Sequence, residues 1–231
     1  MTQFEMMGLP EKLVDRLKEL GITEPTPIQS HAIPIALDGG DVMGLAQTGS
    51  GKTAAFGLPL VTQMLAINSM PAPKSARGLV LAPTRELAKQ ISDTLTQLVQ
   101  KTPLKVALVV GGASINMQIK RLQRGTDLLV ATPGRLIDLL DRRALSLADT
   151  SFLVLDEADQ MLDLGFIHAL RRIASVLPAQ RQTMLFSATM PKQMNELAQS
   201  YLNNPKRVEV NPPGEAVDRI VQSVHFVAKS E

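Results

Sequence analysis

The residues best suited to chemistry stand in the stretch 46–53, which reads Ala-Gln-Thr-Gly-Ser-Gly-Lys-Thr. An apolar run of strand length, residues 41–45, precedes it, and a segment with helical spacing begins at Ala54. A glycine-rich turn between a strand and a helix points several backbone N–H groups into one concavity, where the helix dipole adds positive potential. Lys52 can place its charge on the β- and γ-phosphates of a nucleotide, and the Thr53 hydroxyl can ligate Mg²⁺. The stretch therefore predicts a phosphate-binding loop.

One position of this loop departs from the usual pattern. Glycine usually begins a phosphate-binding loop, and Ala46 stands in that place here. The first position is the least demanding one for close approach to phosphate, so we interpret Ala46 as a mild departure. An ordinary strand-to-helix turn that binds nothing is the alternative interpretation. The register of Gly51, Lys52 and Thr53 argues against that alternative.

Two adjacent carboxylates follow a second apolar run, residues 152–155. Because ligands of parallel sheets bind at the carboxyl ends of the strands, we expect Asp156 to hold Mg²⁺ opposite Thr53. Glu157 can orient or deprotonate the water that attacks a γ-phosphate. Capping of the next helix is the alternative role for this acidic pair, since acidic residues favour first turns. Together with the upstream loop, the pair predicts Mg²⁺-dependent hydrolysis of a nucleoside triphosphate.

Polar clusters follow four further apolar runs, at residues 83–88, 111–112, 132–135 and 187–189. These clusters offer helix N-terminal N–H groups, hydroxyls or an arginine, which can grip phosphodiester oxygens without reading bases. Thr84 and Thr132 are also good helix caps, so capping is the simpler interpretation of any single cluster. The repetition of this layout favours a nucleic-acid backbone as a second ligand.

Gln29 follows a loop that contains two prolines, Pro25 and Pro27, and precedes the phosphate-binding loop. A glutamine amide has one acceptor and two donors, so it can pair with the N6 and N7 edge of adenine. Taken alone, Gln29 is more simply interpreted as a residue on a helix surface.

The elements that must position these side chains alternate regularly along the chain. Apolar runs of strand length stand at residues 41–45, 78–82, 106–110, 127–131, 152–156 and 183–187. Helices are predicted at residues 9–20, ending at Gly21, from about Pro27, from Ala54 to about Asn68, at residues 87–98 and at residues 194–202. Strands that are apolar on both faces and alternate with amphipathic helices indicate an α/β fold, with a mostly parallel central sheet and helices on both faces.

The composition limits the number of domains and the kinds of ligand that the chain can bind. The 231 residues are 45% hydrophobic and 20% charged, which suits one large domain or two small ones. A formal net charge of +2 does not by itself indicate a nucleic-acid partner, and 3% aromatic residues argue against a base-stacking platform. The sequence has no cysteine, and its three histidines, His31, His168 and His225, lack metal-binding spacing. We see no secretory signal or apolar run of membrane length, and therefore expect a cytoplasmic protein.

Taken in order, these motifs resemble the N-terminal half of a DEAD-box ATP-dependent RNA helicase. The resemblance rests on residues 25–29, 46–53, 83–88, 111–112, 132–135, 156–159 and 187–189. It extends from Phe4 to about Val210, and the flanking sequence is most similar to the bacterial RhlE-type group. It implies that residues 1–210 form a RecA-like P-loop NTPase domain.

By this resemblance the nucleotide is ATP with Mg²⁺. Gln29 would read adenine and Phe4 would pack near the base, while Ile22 stands where family members often carry an aromatic residue, which leaves base stacking there open. Lys52, Asp156 and Glu157 would be the catalytic residues. The phosphate-binding residues would be Ala46, Gln47, Thr48, Gly49, Ser50, Gly51, Lys52 and Thr53, and the metal ligands would be Thr53 and Asp156.

The resemblance also implies an RNA partner, bound by a monomer through the sugar-phosphate chain and without sequence preference. Asp159 would bond to Ser187 and Thr189 and so couple the nucleotide site to the RNA surface. The residues that would line the RNA backbone are Pro83, Thr84, Arg85, Gly112, Thr132, Pro133, Gly134 and Arg135.

Family members carry a second RecA-like domain whose arginines reach the γ-phosphate. We interpret residues 211–219 as a linker and residues 220–231 as the first strand of such a domain, and expect the chain to be a piece of a longer protein. An arginine finger contributes ~10³–10⁵ in rate in related phosphoryl transfer, so this chain alone should hydrolyse ATP very slowly.

Three rival functions remain open at this point. A DNA-directed helicase or translocase of the same architecture is the main one. A non-enzymatic scaffold would require a damaged phosphate-binding loop or acidic pair, and neither is visible. A small-molecule kinase would leave the polar clusters at residues 83–86 and 187–189 without a role.

Overall fold

The structure, a computed structural model, describes residues 2–67 and 69–210. The predicted linker and strand at residues 211–231 lie outside the described residues. The helices of the described part are α1 (Gln3–Met6), α2 (Glu11–Glu19), α3 (Pro27–Leu37), α4 (Lys52–Ala66), α5 (Arg85–Leu98), α6 (Ile115–Leu122), α7 (Pro133–Asp141), α8 (Ala158–Asp163), α9 (Ile167–Val176) and α10 (Lys192–Tyr201). Its strands are β1 (Val42–Leu45), β2 (Ala76–Leu81), β3 (Val106–Val109), β4 (Thr126–Ala131), β5 (Phe152–Leu155), β6 (Gln182–Ser187) and β7 (Lys206–Glu209).

The strands form one sheet in the order β3-β4-β2-β5-β6-β1-β7, and every pairing is parallel. The predicted α/β fold is thereby confirmed, with a fully parallel sheet where we expected a mostly parallel one. Parallel strands direct all their carboxyl ends to one edge. That edge therefore carries every polar cluster that the sequence placed after a strand.

Most element boundaries lie within a few residues of the predicted ones. The first long helix ends at Glu19, and Gly21 follows with a φ of 73°, a left-handed conformation that glycine adopts without strain. The helix predicted from Ala54 to about Asn68 begins two residues earlier, at Lys52, and ends at Ala66. Strand β7 was not predicted, because only Val208 of its four residues is buried and the strand carries no apolar pattern.

The sheet separates two layers of core. Residues of alternate parity in the central strands face opposite sides, so Val80 and Val154 contribute to one cluster while Leu81 and Leu155 contribute to the other. Helices α2, α3, α4 and α5 contact one another on the first side, and α7, α8, α9 and α10 do so on the second. Covering both faces with helices buries β2, β4, β5 and β6 completely and fixes their ends in space.

None of the helices within the described ranges combines the length and the apolar character that a membrane crossing needs.

Candidate nucleotide and nucleic-acid sites

The three predicted catalytic residues meet at the carboxyl edge of the sheet, around the end of β6. The phosphate-binding loop follows β1 and the acidic pair follows β5, and β6 lies between those strands. Lys52, the first residue of α4, spans the gap. Its Nζ lies 3.7 Å from Asp156 Oδ1 and 3.9 Å from Glu157 Oε1.

The loop has the backbone shape that its glycines permit. Gly49 and Gly51 have φ angles of 84° and 93°, in the left-handed region. A Cβ at Gly51 would lie 2.6 Å from Gln29 Nε2, so no larger residue fits there without displacing that amide. Within the described residues, the backbone N–H groups of Gly49, Gly51, Lys52 and Thr53 donate no hydrogen bond. Free N–H groups at the start of a 15-residue helix form a site suited to an anion.

The Lys52 side chain is folded back onto this loop. It is 5% exposed, and its Nζ donates to the Ala46 carbonyl at 3.3 Å. Burial raises the pKa of Asp156 to about 6, while the Lys52 ammonium opposes the shift and the Glu157 charge adds to it. The Asp156 carboxylate is therefore poorly solvated, and a cation bound beside it would favour its charged form.

Glu157 is held by the same loop. The Thr48 hydroxyl donates to Glu157 Oε1 at 2.7 Å. The Glu157 backbone has a φ of 51°, an unfavourable conformation for a residue with a Cβ, and it precedes the first residue of α8. The Thr48 hydroxyl thus restrains this carboxylate through Oε1, while Oε2 accepts no hydrogen bond within the described residues.

Gln29 is buried, 4% exposed, and does not lie on a helix surface. Its Oε1 accepts from the Thr26 N–H at 3.1 Å, and its Nε2 donates to the Gly51 carbonyl at 3.1 Å. The amide therefore joins the start of α3 to the phosphate-binding loop. One Nε2 hydrogen remains for a ligand, and adenine recognition by Gln29 stays a prediction.

The two other residues predicted near the base lie in the core on this side of the sheet. Phe4 is 1% exposed within the first core cluster, and Ile22 is half-buried and packs against that cluster. An adenine contact by either of them stays a prediction.

The protein groups near the loop suit Mg²⁺, which prefers oxygen ligands and keeps several waters and phosphate oxygens in its shell. Asp156 supplies a carboxylate that is 2% exposed, and Thr53 supplies a half-buried hydroxyl. The Ser50 hydroxyl is buried and has no hydrogen-bond partner in the described structure, so a polar group is left for a ligand at the same place. The described residues contain no cluster of three or more His, Cys, Asp and Glu side chains that could hold a metal.

A hydrogen-bonded contact joins the loops after β5 and β6. Asp159 Oδ2 accepts from the Thr189 backbone N–H at 2.9 Å and from the Thr189 hydroxyl at 3.0 Å. The bond that we expected between Asp159 and Ser187 is not formed. Ser187 ends β6 and is completely buried, so its hydroxyl donates to the nearer Thr189 carbonyl at 2.7 Å. Ser187 thus supports Thr189, and Thr189 makes the contact with Asp159.

A cleft of about 390 Å³ lies at the carboxyl ends of β2, β3 and β4, on the same edge of the sheet. It is lined by Pro83, Thr84, Arg85, Glu86, Gly111, Thr132, Gly134, Arg135, Asp138 and Phe166. Six of these residues were predicted to line an RNA backbone. Of the other two predicted residues, Gly112 lies against Arg85 and Pro133 is buried at the start of α7.

Helix starts supply part of this cleft. The Thr84 hydroxyl accepts from the Leu87 N–H at 3.2 Å and so caps α5. Thr132 precedes α7, whose first residue is Pro133, and its side chain makes no capping hydrogen bond. The Thr84 hydroxyl is thus used to cap α5. Thr132 occupies the cap position of α7, but its hydroxyl makes no capping bond to that helix.

The two arginines of the cleft differ in their surroundings. Arg85 is exposed, lies against Gly111 and Gly112, and makes no ion pair within the part of the chain that the structure describes. The Arg135 side chain is 12% exposed, its Nη1 donates to the Ala113 carbonyl at 2.9 Å, and its Nε lies 3.5 Å from Asp138 Oδ2. Arg85 is therefore the freer cation, and Arg135 is bound within the protein through Nη1, while its Nε has no hydrogen-bond partner in the described structure.

The sequence that forms these two sites matches a known protein family. A family model described as DEAD/DEAH box helicase matches residues 26–197, which is more than half of the chain. The chain belongs to the DEAD/DEAH box helicase family. Its RecA-like fold is also similar to the crystal structure of a DEAD box protein from the hyperthermophile Methanococcus jannaschii, with 34% sequence identity and a TM-score of 0.81. That match covers 89% of this chain and 55% of the other, so this DEAD-box chain spans about half the length of the solved protein.

Two residues of this DEAD-box domain were missed by the sequence analysis. Phe166 lines the cleft, although nothing in its local pattern marked it. Gln118 is 8% exposed and accepts from Arg135 Nη1 at 3.1 Å. Gln118 lies on the core-facing side of α6, together with Ile115, Ile119 and Leu122. A polar residue within such an apolar helix face is the signal that could have revealed it. The closer similarity to the RhlE-type group stays a prediction.

Proposed function

We propose that this chain is the ATP-binding half of an ATP-dependent RNA helicase. The observation that carries the proposal is that two polar sites share one sheet edge. The bond between Asp159 and Thr189 ties the loops after β5 and β6, and β5 pairs with β2 at the border of the second site. In this proposal ATP binds at the ends of β1, β5 and β6, the nucleotide half of the edge. RNA binds at the ends of β2, β3 and β4, the nucleic-acid half. Family membership and the solved DEAD box structure support the assignment.

The residues of the nucleotide half divide the work between binding and hydrolysis. The free N–H groups of the loop bind the phosphates, and Lys52 moves its charge from the Ala46 carbonyl to the β- and γ-phosphates. Thr53 and Asp156 would hold Mg²⁺, which neutralises phosphate charge when it is bound. Glu157, once released from Thr48, orients the attacking water and accepts its proton.

The nucleic-acid half binds phosphodiester oxygens. Arg85 supplies positive charge, while the start of α7 and the glycines after β3 supply N–H groups. Such contacts read no bases, so we propose that binding is independent of RNA sequence. We further propose that Asp159 and Thr189 transmit the state of the acidic pair to this cleft.

We propose a division of the chain into a RecA-like domain at residues 1–210, a linker at 211–219 and the first strand of a second RecA-like domain at 220–231. The second domain would supply the arginines that complete hydrolysis. A monomeric, cytoplasmic protein of this two-domain form is the expectation that follows from the sequence.

The proposal is tested with the 231-residue chain and with a two-domain form that includes the segment following residue 231. The chain alone should bind an adenine nucleotide weakly and should separate no RNA strands, because the arginines of the second domain contribute ~10³–10⁵ in rate. The two-domain form should hydrolyse ATP faster when single-stranded RNA is added. Robust unwinding by the chain alone would contradict the proposed division of the active site.

Comparison of RNA with DNA of the same sequence distinguishes the main rival function. RNA should stimulate the ATPase activity of the two-domain form, and single-stranded DNA should stimulate it much less. Equal or stronger stimulation by DNA would favour a DNA-directed translocase of the same architecture.

A further inference from the structure

Gln118 is a buried polar residue at the edge of the nucleic-acid half. It lies in the first turn of α6, a helix that follows β3 through a loop containing Gly111 and Gly112. Its side chain is 8% exposed, and its amide is paired at both ends. Nε2 donates to the Val110 carbonyl at 2.9 Å, and Oε1 accepts from Arg135 Nη1 at 3.1 Å.

These bonds hold the two ends of the glycine loop. Val110 is the residue before Gly111, and its carbonyl is bound by Gln118. Ala113 is the residue after Gly112, and its carbonyl is bound by Arg135 Nη1 at 2.9 Å. Because Gln118 and Arg135 are also bonded to each other, one connected set of side-chain bonds holds both ends of the loop.

The loop needs such support because of its composition. Two consecutive glycines lose more conformational freedom on ordering than any other pair, and Gly112 is held at a φ of 78°. A Cβ at Gly112 would overlap the Arg85 guanidinium, so glycine at this position lets Arg85 lie against the loop. The N–H groups of Gly111 and Gly112 donate no hydrogen bond within residues 2–67 and 69–210, and they remain available for a ligand.

Arg135 uses one guanidinium nitrogen to hold this arrangement. Its Nη1 serves two acceptors, the Ala113 carbonyl and Gln118 Oε1. Its Nε lies 3.5 Å from Asp138 Oδ2 but has no hydrogen-bond partner, and Nη2 makes no bond within the described residues. The guanidinium therefore supports the loop through Nη1 and keeps its other nitrogens for the cleft.

We propose that Gln118 is a positioning residue for RNA binding. It fixes Arg135 and the end of β3, so that Gly111, Gly112 and Arg85 are held in the conformation that binds a phosphodiester. A loop that is already ordered loses less entropy when RNA binds. The inference rests on the proposed function, because it assigns Gln118 to the RNA cleft of that function.

The test uses Gln118→Met, which keeps the length of the side chain and removes both hydrogen bonds. Gln123→Met is the matched control, since Gln123 is exposed at the end of α6 and its side chain makes no hydrogen bond within the described residues. Binding of a fluorescent single-stranded oligouridylate to the 231-residue chain is measured from 0.05 M to 0.2 M salt. Affinity for an adenine nucleotide and amide exchange of residues 110–113 are measured on the same variants.

Gln118→Met should weaken RNA binding about fivefold to tenfold, the range for loss of a buried hydrogen bond. The dependence of log affinity on log salt should keep its slope, because Gln118 carries no charge and neutralises no phosphate. Amide exchange should accelerate at residues 110–113, and nucleotide affinity should not change. In an Arg135→Met background the same substitution should cost much less, because Gln118 acts through Arg135.

Equal RNA affinity of Gln118→Met and Gln123→Met would overturn the inference, and so would strictly additive effects with Arg135→Met. A parallel loss of nucleotide affinity would also overturn it, because it would indicate general destabilisation. Should Gln118→Met not stay folded, Gln118→Asn provides the same test, since its shorter amide cannot span both partners. If the unaltered chain binds no RNA, the proposed function itself fails.

Discussion

The two halves of the sheet edge differ in how far their polar groups are already paired. In the nucleotide half, Lys52 is buried against the Ala46 carbonyl, and Glu157 accepts from Thr48. In the nucleic-acid half, Arg85 is exposed and forms no ion pair with any described residue. A ligand of the first half competes with bonds within the protein, whereas a ligand of the second half mainly adds bonds to a preformed surface.

This difference indicates what limits each site. Affinity in the nucleotide half depends on the cost of opening the loop as well as on the strength of the bonds to phosphate. Affinity in the nucleic-acid half depends on positive charge and on the fixed shape of a glycine loop. The bond between Asp159 and Thr189 lies within the nucleotide half, at the loops after β5 and β6, and β5 borders β2 of the nucleic-acid half.

The largest expected effect concerns Glu157, whose substitution should change the rate of ATP hydrolysis without changing the affinity for ATP in the nucleotide half. In the two-domain protein, Glu157→Gln should preserve ATP binding and lower the turnover rate by ~10²–10⁴, the usual contribution of a general base. Asp163→Asn is the control, because Asp163 is exposed at the end of α8 and makes no side-chain bond in the described part of the chain. Steady-state ATPase assays and nucleotide titrations check both variants, and normal turnover in Glu157→Gln would remove Glu157 from its role.

The second effect concerns the backbone of the phosphate-binding loop. Gly51→Ala should weaken ATP binding by about tenfold or more, because the new Cβ meets Gln29 Nε2 at 2.6 Å and the φ of 93° strains any residue other than glycine. Gly49→Ala has the same kind of φ, 84°, and nothing within 4 Å of its Cβ. Calorimetric titration of both variants therefore separates the steric contact with Gln29 from backbone strain. Equal losses would show that Gln29 does not hold the loop.

The sequence predicted the sheet edge and the polar clusters on it. It did not predict which side chains of those clusters form hydrogen bonds with one another. Strand burial and helical spacing are periodic, so the order of the elements followed from the pattern. The motifs placed Lys52 and Asp156 after strands whose carboxyl ends share one edge. Strand β7 was missed because backbone pairing, not an apolar pattern, attaches it to β1. The partners of Ser187 and Gln29 depend on distances of a few ångströms between loops, which no single sequence position records.

The third effect tests whether the nucleotide half is closed by its own hydrogen bonds. Thr48→Val removes the hydroxyl that donates to Glu157, so it should make the loop easier to open. ATP affinity should rise about threefold to tenfold, the range for the net contribution of one typical hydrogen bond. Thr48→Ser keeps the hydroxyl and should bind ATP like the unaltered chain. A loss of affinity in Thr48→Val would mean that Thr48 binds the nucleotide more than it restrains Glu157.

The smallest effect concerns Arg85, which tests whether the nucleic-acid half works through free charge. Arg85→Gln should weaken RNA binding uniformly across sequences and lower the slope of log affinity against log salt by ~0.7, the value for one phosphate contact on a single strand. Lys101→Gln removes the same charge from an exposed residue that pairs with Glu19, beyond the carboxyl end of α5, and should leave the slope unchanged. Fluorescence titrations at several salt concentrations check both variants. An unchanged slope in Arg85→Gln would mean that the cleft binds RNA through N–H groups alone. The nucleic-acid half would then differ from the nucleotide half in backbone shape and not in free positive charge.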